Sequence, residues 1–166
     1  LTPKEVTARD GVGPEAEDAQ MTTLDTDRSA VGTTDTHGNP MTGGRDAVAL
    51  YDRAVGAYLR FSPDVVTATT RLVTDEPQAP MGHALMAYLL LSSTAQADVA
   101  AARDAHTALV GLDGNEREQA HAAAVGAWIA GDWTGAAAAL DQVLVRWPGD
   151  MLALQAGHGL DFFVGD

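Results

Sequence analysis

The sequence predicts an all-α chain of successive helical hairpins, stacked as an antiparallel helix-pair solenoid. Two observations carry this. From Asp46 onward apolar residues recur every three or four positions, with no run of alternating β-branched residues anywhere. The stretch "AWIAGDWTGAAAALDQVLVRWPGD", residues 127–150, joins two such patterns through a Gly-Asp turn and stops at a proline.

The elements follow in order. "RDAVALYDRAVGAYLRF" (45–61) places Val48, Tyr51, Val55, Tyr58 and Leu59 on one side, after a Gly-Gly break. Ser62 is the expected N-cap and Pro63 the first-turn residue of a second helix, "SPDVVTATTRLV", which ends before Pro77. "PMGHALMAYLLLSS", "ADVAAARDAHTALVG" and "NEREQAHAAAVGAWIAGDW" continue the series. Gly131 then permits a tight turn, Asp132 or Thr134 caps the next helix, and Ala136, Leu140, Val143, Leu144 and Trp147 form its apolar stripe until Pro148. A further helix begins at 151.

Composition narrows the classes of function. The 166 residues are 46% hydrophobic, enough for one domain with a core, and contain no cysteine, which removes disulfides, thiolate metal sites and a cysteine nucleophile. A cytoplasmic setting is expected. The net charge of -13 repels phosphate backbones and anionic lipid, so nucleic acid is not an expected partner. The apolar run "ALMAYLLL" (84–91) is far shorter than the roughly 20 residues of a membrane span, and no secretory signal is apparent. Residues 1–44 read as a flexible acidic extension, and 45–166 as the helical domain. Within the extension, "TTDTHGNPMTGG" (33–44) is dense in turn formers; it lacks the lysine and strand of a phosphate-binding loop and reads as a linker.

Counting positions turns the hairpins into a repeat. The unit Arg117–Asp150 matches the tetratricopeptide pattern of about 34 residues: Ala124 is its small residue in the first helix, Ala136 opens the second, and Pro148 closes it. Segments 46–77 and 80–114 repeat the theme less closely, and 151–166 begins another first helix. Leu160, Phe162 and Phe163 have no following helix to cover them, so the chain is expected to be the N-terminal part of a longer protein, a solenoid truncated at its C-terminus.

"LYDRAVGAYL", "PMGHALMAYLLL", "NEREQAHAAAVGAWIAGDW" and "DMLALQAGHGLDFFVGD", in that order and spacing, resemble the N-terminal part of the tetratricopeptide repeat protein 38 family. The likeness covers 45–166 and rests on the Pro-Met-Gly-His and Asn-Glu-Arg-Glu segments, which generic tetratricopeptide repeats lack. It implies a helical-repeat protein two to three times longer than this chain and brings no catalytic residue with it. Residues 1–20 fall outside the family pattern, which makes Met21 the expected natural start. The wealth of Ala, Gly, Val and Arg beside the single lysine, Lys4, is the bias of a GC-rich bacterial genome.

Candidate chemistry lies in the histidines. His83, His121 and His158 recur at nearly constant spacing, one per first helix, and could form a ladder in a concave groove. Glu118 stands three residues before His121 and Asp161 three after His158, as carboxylates that could orient a general base. A shared metal is demanding, because helix axes pack about 8 to 10 Å apart whereas zinc ligands converge to about 2 Å. Alternatively, these histidines bond neighbouring carbonyls and fix helix register. His37 and His106 have no such company. Tyr88 and Trp128 are candidate groove residues, Trp128 because Val125 and Ile129 already fill buried positions beside it, although helical spacing alone also predicts packing.

No Gly-x-Ser-x-Gly elbow and no His-Glu-x-x-His occurs, and no catalytic residue, metal or cofactor is assigned. The expected function is a scaffold that binds a protein or peptide segment, or the chain's own C-terminal repeats, in a concave groove. The binding residues are His83, His121, His158, Glu118, Asp161, Trp128 and Tyr88. The alternative is an enzyme using those histidines as metal ligands or general base.

Overall fold

The computed structural model describes residues 33–165. The first 32 residues of the acidic extension, with Lys4 and Met21, lie outside the described residues. Those described are all-α but for one small hairpin. Strands β1 (Thr33–Thr34) and β2 (Pro40–Met41) pair antiparallel, Thr33 opposite Met41 and Thr34 opposite Pro40. Seven helices follow: α1 (Arg45–Leu59), α2 (Val65–Asp75), α3 (Pro80–Ser92), α4 (Asp98–Val110), α5 (Glu116–Ile129), α6 (Trp133–Arg146) and α7 (Met151–Val164).

Each helix packs on its neighbours in sequence, as short connections require. The odd-numbered helices also meet: α3 packs on α5, and α7 reaches back to α1 and α3. The central member is α3, where Met81, Ala84, Leu85, Ala87, Tyr88 and Leu91 are all buried, as expected of a helix apolar on every side. The predicted stripes are in place, with Tyr51, Val55 and Tyr58 buried on α1 and Ala136, Leu140 and Val143 on α6. No helix among the described residues is long and apolar enough to cross a membrane.

Helix ends follow two recurring devices. Helices α1, α3, α5 and α7 each end at a residue in the left-handed region: Phe61 (φ 50°), Thr94 (φ 58°), Gly131 (φ 82°) and Gly165 (φ 83°). Helices α2 and α6 stop alike before Pro77 and Pro148. Glu76 (φ -127°, ψ 63°) and Trp147 (φ -128°, ψ 79°) leave the helical region because the proline ring crowds the residue before it. The cap of α6 is Asp132, which accepts the Gly135 N–H. Helix α2 starts later than expected, at Val65: Ser62 Oγ accepts the Asp64 N–H in a turn that precedes the helix.

The linker reading of residues 33–44 is corrected. Asp35 Oδ1 accepts the backbone N–H groups of both His37 and Asn39 at 2.9 Å, and Gly38 supplies a left-handed residue (φ 80°) that closes the turn. β1 packs on α1 and β2 on α5, with Met41 buried. The partners that fasten the hairpin come from α5 and from Gly149, far along the chain, so nothing local in the sequence announces them.

Candidate functional site

Two of the seven candidate residues, His121 and Tyr88, come together in a buried polar centre whose hub is Arg117. Asp150 caps α7, taking the Ala153 N–H on Oδ1, and thereby presents Oδ2 to α5. Arg117 Nε donates to that oxygen at 2.6 Å, and His121 Nε2 lies 2.9 Å from it, one helical turn further on. The remaining guanidinium nitrogens reach Pro40 O (3.1 Å), Tyr51 Oη (3.2 Å) and Asp35 Oδ2 (3.0 Å). Tyr88 Oη sits 3.0 Å from His121 Nδ1. The side chains of Arg117, Asp150 and His121 are wholly buried.

Electrostatics fix the protonation of this centre. Burial alone would raise the Asp150 carboxyl; the charge and hydrogen bond of His121, then those of Arg117, outweigh it and hold the group well below the usual carboxylate range. An ionised carboxylate only accepts, so His121 Nε2 is the donor in that contact. Burial pushes the Tyr51 and Tyr88 hydroxyls upward, so both stay neutral, and Tyr51 Oη accepts from Arg117. Burial works against the Arg117 charge, but Tyr51, Asp150 and Asp35 outweigh it and keep the guanidinium cationic. No buried side-chain nitrogen or oxygen among the described residues lacks a partner. Each buried polar atom thus has a partner within the fold, which suits a lock rather than a reacting centre.

Glu118 does not orient His121. It completes a capping box with Asn115: Asn115 Oδ1 accepts the Arg117 and Glu118 N–H groups, and Glu118 Oε2 accepts the Asn115 N–H at 2.8 Å. The same carboxylate takes the Thr42 N–H (2.7 Å) and Thr42 Oγ1 (2.6 Å), fastening the hairpin to the start of α5.

The histidine ladder does not form. His83 is half-buried, with Nε2 2.8 Å from Pro77 O; His121 is sealed in the centre; His158 is exposed, as is its companion Asp161. His106 bonds Ala122 O at 3.0 Å. Among the described residues no three His, Cys, Asp or Glu side chains are placed to hold a metal ion. The carbonyl-bonding alternative describes His83, whereas His121 is held between side chains.

Two of the open clefts share Phe163 in their lining. A groove of about 710 Å³ runs between α1, α2, α3 and α7, lined by Tyr58, Phe61, Val65, Leu89, His158 and Phe162 among others. Its lips are apolar yet exposed, Phe61 at 80% and Phe162 at 82%. Phe163 joins this groove to a second cleft of about 320 Å³, into which Trp128 and Trp133 also face. Trp128 itself is buried, tilted against Tyr88 with centroids 6.2 Å apart.

Sequence reasoning missed Arg117, Asp150, Asp35 and Tyr51 in the centre and Phe61 at the groove. One signal existed: Arg117 and His121 stand four apart on one helix face, among alanines. Comparison with protein families, curated proteins and solved structures finds no match to this chain.

Proposed function

We propose that this chain is a tetratricopeptide-like scaffold, of the kind found in the tetratricopeptide repeat protein 38 family, that grips an apolar segment of a partner protein in the groove between α1, α2, α3 and α7. Support for the repeat comes from its punctuation: a left-handed residue after α1, α3 and α5, and the same pre-proline stop after α2 and α6. The return of α7 to α1 and α3 draws the array tighter than an open superhelix.

The observation that carries the binding reading is Phe61. A bulky residue at φ 50° is strained, and an aromatic ring left 80% exposed gains almost nothing from burial. Both costs fall on the lip of an apolar groove, opposite the equally exposed Phe162. The groove suits an amphipathic helix laid between helices, and the net charge of -13, with exposed Asp64 and Asp161 near the two lips, favours a partner with a basic polar face. The enzymatic alternative gains no support from three histidines that turn to three separate surroundings.

Fluorescence anisotropy with a labelled Leu/Lys amphipathic helical peptide tests this on the full chain. Saturable binding that Phe162→Asp weakens about tenfold, and that a sequence-scrambled peptide does not reproduce, is expected. Equal binding of the scrambled peptide, or indifference to Phe162→Asp, overturns the reading. So does a concentration-dependent dimer in sedimentation that Phe162→Asp abolishes, which would assign the groove to a second copy.

A further inference from the structure

The second cleft lies at the far side of Phe163 from the groove, between the end of α3, the start of α4 and the turn joining α5 to α6. Its volume, about 320 Å³, falls at the lower end of the range of about 300–1,000 Å³ usual for small-molecule sites. Apolar walls come from Trp128, Trp133, Phe163 and Val99, with Trp133 and Phe163 edge to face at 5.7 Å. Polar character comes from Thr94, Gln96, Arg103 and the Trp128 indole.

Two features of these polar groups point to a ligand. Trp128 is only 5% exposed, yet its indole N–H makes no hydrogen bond among the described residues, while no buried polar side-chain atom there is without a partner. The nitrogen belongs to a side chain that lines the cleft. Arg103 has no carboxylate within ion-pair distance among the described residues, in a chain where acids outnumber bases by 23 to 10. Two acids beside cleft-lining residues are engaged elsewhere. Asp98 accepts Ser93 Oγ at 2.6 Å, and Asp132 caps α6. Indole N–H and guanidinium are both donors with no accepting capacity, so the group they lack is an acceptor, and a charged one suits Arg103 best.

We propose that this cleft binds a small organic carboxylate with an apolar body, the ring or chain lying against Trp133, Phe163 and Val99 and the carboxylate reaching Arg103 and the Trp128 N–H. The site shares Phe163 with the groove but does not rest on the groove's partner.

The three tryptophans of the chain make the test direct, since each gives one indole N–H cross-peak in a proton–nitrogen correlation spectrum, assignable by Trp→Phe variants. The probe is 3-phenylpropionate, titrated into the full chain up to about 10 mM, with 3-phenylpropan-1-ol as its uncharged counterpart. The expected result is a saturable shift of the Trp128 and Trp133 peaks, with Trp147, which lines neither cleft, unmoved. Binding of the acid should weaken about tenfold in Arg103→Gln, an exposed position whose change leaves the core intact, and the alcohol should bind about tenfold more weakly than the acid. The proposal is overturned if the Trp128 peak does not saturate, if Trp147 moves with it, if acid and alcohol bind alike, or if Arg103→Gln binds the acid as the parent does.

Discussion

Phe61 and Gly131 hold the same place in two equivalent turns. Phe61 N–H reaches Tyr58 O and Ser62 N–H reaches Ala57 O; Gly131 N–H reaches Trp128 O and Asp132 N–H reaches Ala127 O. Both are the left-handed residue of the same C-terminal helix motif, at φ 50° and φ 82°. Glycine takes that conformation without strain, whereas phenylalanine meets its own Cβ against the carbonyl. Phe61→Gly should therefore stabilise the chain by roughly 1 kcal/mol, because the ring it removes is 80% exposed. The same variant should weaken binding of the amphipathic peptide. Urea unfolding beside peptide anisotropy checks both; a variant that loses stability would show that the ring packs in the free protein and would remove the main argument for the groove.

The candidate histidines His121 and His158 should separate sharply on mutation. His121→Ala takes from Asp150 Oδ2 one of its two partners and from Tyr88 Oη its side-chain partner in a wholly buried site, which costs about 2–4 kcal/mol. Asp150→Asn strips Arg117 of its shortest contact and should cost about 3 kcal/mol or more. His158→Ala, on an exposed side chain, should stay within about 0.5 kcal/mol. Chemical denaturation of the four proteins measures this directly, and similar costs for His121 and His158 would contradict the buried-lock description.

Much of the fold was legible because helix periodicity, turn glycines and prolines act within a few residues of themselves: Tyr51, Tyr58, Leu140 and Val143 are buried where their spacing places them, and Asp132 caps as read. The buried centre was not, because its members are spread from Asp35 to Asp150 and each is unremarkable alone. Arg117 stands at the start of a helix, where a charge is ordinarily solvated, and the approach of α7 and the hairpin turns it inward. The Glu118–His121 pair was visible as a spacing, but a helix start claims its third residue for capping before any histidine can use it. Constant spacing placed His83, His121 and His158 on successive inner helices; it could not say that each meets a different neighbour.

Residues 33–44 should behave as part of the folded domain. Thr42 N–H, held at 2.7 Å by Glu118, and Asn39 N–H, held at 2.9 Å by Asp35, should exchange with solvent far more slowly than peptide amides. Glu118→Gln keeps the shape but removes the charge that strengthens these bonds, and should cost about 1–2 kcal/mol while speeding exchange at Thr42 more than at amides of α6. Hydrogen exchange by mass spectrometry resolves the segment. Unprotected amides at both positions would restore the linker reading.

The buried centre also sets the pH dependence of stability. The Asp150 carboxyl lies well below its unfolded value, held there against burial by His121 and Arg117, so the unfolded chain binds the extra proton first as pH falls. Its contribution is complete above about pH 4, near the unfolded carboxyl value, and is lost progressively below it. At the other limit, burial raises the Tyr51 and Tyr88 hydroxyls, so the unfolded chain releases protons first; stability is retained below about pH 10 and falls as pH rises beyond it. Denaturation midpoints at pH 7, 4 and 3 should fall steeply for the parent and more gently for Asp150→Asn, which starts lower but has one fewer group to protonate. Tyr51→Phe should flatten the alkaline limb alone. A parent and Asp150→Asn with parallel acid limbs would show that carboxylates elsewhere govern acid unfolding.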